Sequence, residues 1–132
     1  MGRIDAWLGD YPWDFVVAQN AALCAARQAL HKQTSDGYDP ARMLWESRFS
    51  EPMRLLDAVE ICRRCHELAP FCFYNGNTFV AIIRDVIGKL PLSSEQGYLI
   101  RSLAGHIVAG VADGSEQEAF GKFCTQFESG GF

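Results

Sequence analysis

Apolar residues recur every three or four positions in each long segment of this chain, and that period selects helices. Trp13, Val16, Val17, Leu23, Cys24 and Leu30 follow it, with Asn20 and Arg27 in step, so residues 12–32 are predicted as one amphipathic helix. Pro12 suits a first turn, and Asp10 and Asp14 suit the positive end of the helix dipole. SDGYDP, residues 35–40, is a turn from which Asp39 and Pro40 open a short helix carrying Met43, Leu44 and Trp45. Ser50, Glu51 and Pro52 signal the next start. Its face is Leu55, Leu56, Val59, Cys62 and His66, and it must end before Pro70.

FYNGN, residues 73–77, reads as a turn. The segment from Phe79 to Leu90 is rich in Val and Ile, which suit a strand, but its step pattern and length favour a buried helix. Ser93 with Gln96 forms a capping box for a helix bearing Leu99, Ile100, Leu103, Ile107, Val108 and Val111, with Gly114 as its stop. Ser115 with Glu118 reads as a second capping box, ahead of a Phe120, Phe123, Cys124 and Phe127 stripe. Gly105 and Gly110 are unfavourable inside a helix and imply a close neighbour or a bend. The expected fold class is all-α: a single-domain, compact helical bundle of five to six helices. Within 1–132, residues 1–11 are expected to form a peripheral N-terminal arm and 128–132 a frayed tail.

A chain of 132 residues buries a real core without staples. Its net charge of −4, with twelve scattered Lys and Arg, argues against nucleic-acid binding through phosphate contacts. The N-terminus lacks a basic region followed by an apolar run, and no apolar stretch approaches bilayer length. The reading is a cytoplasmic protein with no membrane partner. The five cysteines are then expected as thiols or ligands.

Three of those cysteines and a histidine fall in ICRRCHELAPFC, residues 61–72. On a helix, Cys62 and Cys65 lie on adjacent turns of one side, Cys62 in line with Leu55 and Val59. They read first as small core hydrophobes. Other chemistries use the same residue types. Cys-x-x-Cys-His is a haem attachment pattern, with His66 as iron ligand. Cys62, Cys65 and Cys72 with Cys24 or His66 offer four ligands for zinc or an iron–sulfur cluster. A redox dithiol is opposed by the pair's place near the helix C-terminus, where the dipole disfavours a thiolate. The cysteine spacing resembles in part that of WhiB-like iron–sulfur proteins, but residues 66–71 make the last gap longer. The Gly-rich tryptophan turn and basic tail of that family are also absent, so the chain is not assigned to it. No cofactor is favoured.

No phosphate loop, His-Glu-x-x-His or Gly-x-Ser-x-Gly motif is present. His31, His66 and His106 stand on separate predicted helices without a close Asp or Ser. The functional expectation is a small acidic helical protein-binding module of the inhibitor, immunity or adaptor type, without catalytic activity. The alternative is a metal- or thiol-dependent protein built on Cys62, Cys65 and Cys72. The partner surface is expected at Asp5, Trp7, Asp10, Tyr11 and Asp14, where carboxylates would steer a basic partner and aromatics would anchor it.

Overall fold

Helices form where the apolar period runs, and local capping chemistry decides where they stop. The computed structural model describes residues 8–128. Among these, six helices follow one another: α1 (Trp13–Ala26), α2 (Tyr38–Arg48), α3 (Leu55–Leu68), α4 (Asn75–Gly88), α5 (Ser94–Ala109) and α6 (Gly114–Glu128). The fold is an all-α bundle. Its one β feature among the described residues is an isolated bridge between Gln33 and Phe71. No described helix is long and apolar enough to cross a membrane. The most extensive packing is α4 on α5, and α3 touches α2, α4, α5 and α6.

The segment from Phe79 to Leu90 is helical up to Gly88, with Phe79, Ile82, Ile83, Val86 and Ile87 buried. Length and step outweigh β propensity here because these side chains are buried in the core that the helices share. The aromatic centre lies between α1, α2 and the loop after α3. Trp13 stacks on Phe71 with centroids 6.2 Å apart, meets Tyr38 edge-on and donates its indole N–H to the Tyr38 hydroxyl at 2.9 Å.

Several predicted boundaries move. The first helix ends at Ala26, not near residue 32, because Gln28 takes a positive φ of 56° and Ala29 bonds back to the Cys24 carbonyl. Leu30, expected on the helix face, is instead exposed. Residues beyond it cross under the α3–α4 corner, where Thr34 N–H donates to Pro70 O and Cys72 N–H to Lys32 O. α2 starts at Tyr38, before Asp39 and Pro40. α5 stops at Ala109, where Gly110 adopts φ 79° and its N–H returns to the helix end. Gly114 therefore opens α6 and does not close α5. The capping box of α6 is Asp113 with Glu116, two residues before the expected pair. The Ser93–Gln96 box is present as expected.

In the described part of the expected peripheral arm, Gly9 and Asp10 are exposed while two side chains reach the core. Leu8 and Tyr11 are buried, the Tyr11 N–H bonds to Leu8 O, and Trp45 donates its indole N–H to Tyr11 O at 2.7 Å. Residues 1–7, and the tail from 129 onward, lie outside the described residues.

Candidate functional site

The corner between α3 and α4 is built from an unusual backbone. Ala69 and Tyr74 both take left-handed φ values, 52° and 61°, a conformation that costs a side-chain-bearing residue about 1–2 kcal/mol. Side chains hold it there. The Asn75 amide clasps Phe71 on both sides, accepting from its N–H at 2.9 Å and donating to its carbonyl at 2.7 Å. Thr34 donates its hydroxyl to Ala69 O. From α1, the fully buried Asn20 donates to Phe73 O at 2.8 Å and to the Thr78 hydroxyl at 3.0 Å. The first helical bond of α4 is Thr78 N–H to Tyr74 O, so the amides of Gly76 and Asn77 point out of the helix end without an intrahelical acceptor.

A cavity of about 640 Å³ opens beside that end, between α1, α3, α4 and α5. Its apolar side carries Leu23, Val80 and Ala81, and its polar side His66, Asn77, Arg84 and His106. Among the described residues, no Asp or Glu lines it. The His66 Nδ1–H donates to Val108 O at 2.8 Å, which leaves Nε2 facing Gly76. A methyl added to Gly76 would stand 3.2 Å from that nitrogen, so the glycine keeps it uncovered. His106 is oriented by Glu116, 2.6 Å from its Nδ1, and the same carboxylate caps α6 through the Asp113 N–H. Arg84 packs against Gly105, where an added Cβ would lie 2.8 Å from a guanidinium nitrogen. A methyl there would have to displace the flexible end of the Arg84 side chain. At the rim, the Arg27 guanidinium stands 5.3 Å over the Tyr74 ring.

Of the residues expected to form a partner surface, Asp10, Tyr11 and Asp14 are among the described residues. Asp5 and Trp7 lie outside the described residues. Asp14 is exposed, and Asp10 is exposed with Lys89 Nζ 3.6 Å away. Tyr11 is not available as an exposed anchor: its hydroxyl donates to Asp85 at 2.5 Å and Lys89 covers its ring. The turn from Leu8 to Tyr11 folds it inward.

The cysteines also separate. Cys24 donates to Asn20 Oδ1, Cys65 to Ala41 O, Cys62 is fully buried, and Cys72 is exposed. His66 is committed to Val108. Among the described residues no group of three or more His, Cys, Asp or Glu side chains is placed to hold a metal ion. Burial, with the neighbouring Cys65 adding to it, pushes the Cys62 thiol up, and burial pushes Cys65 up to about 12. These thiols resist ionisation, the reverse of a reactive dithiol. Native protein is therefore expected to present Cys72 alone to a thiol-exchange reagent, and the other four only after unfolding. A second fast-reacting thiol in the native state would contradict this burial. The same shifts make stability fall with alkali. A group protonated more tightly when folded contributes fully below its unfolded value and loses that contribution as pH rises toward the folded one. For Cys65 the window runs from 9.0 to about 12. Tyr11 acts in the same direction, raised first by burial and then by Asp85. Melting temperature should decline steadily above about pH 9, and Cys65→Ala should flatten the decline.

Comparison with protein families, with curated proteins and with solved structures finds no match. The site rests on its own geometry. Sequence reasoning passed over Arg84, and noticed His106 and the turn holding Asn77 without assigning either to a site. The usable signal was FYNGN running directly into a helix, with Arg84 seven residues after Asn77 and so on the same face.

Proposed function

We propose that this protein binds a small organic molecule by its anionic end, in the cavity at the start of α4. One observation carries the reading: a chain of net charge −4 gathers Arg84, His66 and His106 around a cavity that no carboxylate among the described residues lines. Random placement of charge in such a chain would favour acids there. The α4 amides and their dipole add to the attraction. The volume suits a metabolite-sized ligand, whose apolar body would rest on Leu23, Val80 and Ala81. Phenyl phosphate and benzoate serve as probes, titrated against sodium chloride of equal ionic strength and followed by amide chemical shifts and calorimetry. Binding with a Kd of about 1 mM or tighter is expected, with shifts centred on Gly76, Asn77 and Gly105. Arg84→Gln should weaken it roughly tenfold or more, because a charge-assisted bond is lost. No response beyond that to chloride, or unchanged affinity in the variant, would remove the proposal.

A second reading keeps the protein-binding module of inhibitor, immunity or adaptor type with a basic partner. It draws on the exposed carboxylates of Asp10 and Asp14 beside Phe15, which is 39% exposed. Capture of a partner that survives Asp10→Lys with Asp14→Lys would count against that surface.

A further inference from the structure

Resting on the reading of the cavity as an anion site, we propose that His66 takes up a proton at Nε2 when the anion binds, which makes a phosphate monoester dianion the preferred ligand end. The argument starts from the tautomer. A backbone carbonyl only accepts, so the bond to Val108 O at 2.8 Å fixes a proton on Nδ1. Neutral His66 then turns a bare lone pair toward the cavity. Such a nitrogen repels an oxyanion and becomes its donor only as imidazolium. With Nδ1 already committed, any proton exchanged on binding is exchanged at Nε2.

The surrounding charges give the sign. Arg84 of α4 and His106 of α5 line the same cavity, so an anion there would meet the guanidinium as well as His66. From α1 the cavity receives Leu23, which carries no charge. The carboxylate of Glu116 in α6 is bonded to His106. His66, bonded to a neutral carbonyl, lacks such a counter-ion. The ligand supplies it. A dianion can be met by the Arg84 guanidinium and a protonated His66 together, whereas the guanidinium alone balances a carboxylate, which favours a phosphate monoester over a carboxylate.

Calorimetry of phenyl phosphate at about pH 8, where the phosphate is already a dianion, tests this in buffers of differing ionisation enthalpy. The expected result is a slope equivalent to uptake of a substantial fraction of one proton, with benzoate binding more weakly. His66→Asn can keep the bond to Val108 O and removes Nε2, so it should abolish the slope. His31→Ala, which removes a histidine outside the cavity, should retain it. Gly76→Ala leaves His66 in place but covers Nε2, and should weaken binding and reduce the slope even if His66→Asn folds poorly. Binding without proton uptake, or a slope that survives both His66→Asn and Gly76→Ala, would overturn the inference while leaving the anion site standing. Absence of any phenyl phosphate binding would overturn both.

Discussion

Gly37→Ala is expected to destabilise the protein by about 3 kcal/mol or more, the largest effect of any single methyl added here. Gly37 caps α2 against the end of α3. A Cβ at this position would lie 2.5 Å from Ala69 O and overlap Leu68 O. Both obstacles are backbone, so no rotamer change relieves them. The φ of −100° is one any residue can adopt, which assigns the whole effect to the clash. Gly97, inside α5 with nothing within 4 Å of an added Cβ, is the control. Gly97→Ala should stabilise by about 0.5–1 kcal/mol through helix propensity. Urea unfolding followed by helical circular dichroism measures both. A Gly37→Ala variant as stable as the parent would mean that α2 and α3 do not meet at this point.

Asn20→Leu is expected to cost roughly 2–4 kcal/mol, although it replaces a buried amide by an apolar group of similar size. Leucine satisfies the core pattern of α1 better than asparagine does. It fails because the partners remain. Phe73 O loses its donor, and the Thr78 hydroxyl, Cys24 thiol and His31 Nδ1 lose their common amide. His31 is exposed and can turn to water, so His31→Ala should cost under about 1 kcal/mol. Equal losses in the two variants would refute the assignment of Asn20 as the group that ties α1 to the α3–α4 corner.

That contrast also marks what could be read from the chain. The helices were legible because burial of Val16, Val59, Ile83, Leu103 and their neighbours follows one period. Boundaries were legible where a local signal acts alone, as at Ser93 with Gln96. They were misplaced where a distant contact competes. Leu30 keeps the helical step, yet α1 ends before it and the chain beyond bonds to the α3–α4 corner through Lys32 and Thr34. Gly114 and Ser115 look like a stop and a cap, yet Gly110 and Asp113 take those roles two to four residues earlier. The site was hardest. His66 drew notice through its cysteine neighbours, but its chemistry comes from Val108, forty-two positions away. Arg84 and His106 lie on different helices and meet only after α4 packs on α5.

The α3–α4 corner has a thermodynamic corollary. Two left-handed residues stand within six positions, and Asn75, Thr34 and Asn20 hold the loop from its own chain, from the α1–α2 crossing and from α1. The amides of Gly76 and Asn77 are thus oriented by folding and not by whatever arrives later. A molecule entering the cavity meets a preorganised end, and the entropy of ordering that loop has already been charged against the stability of the empty protein. Loosening the corner, for instance by Asn75→Ala, should therefore surface twice: once as a lower unfolding free energy, and again as a slower, entropically penalised association that the intact corner never requires.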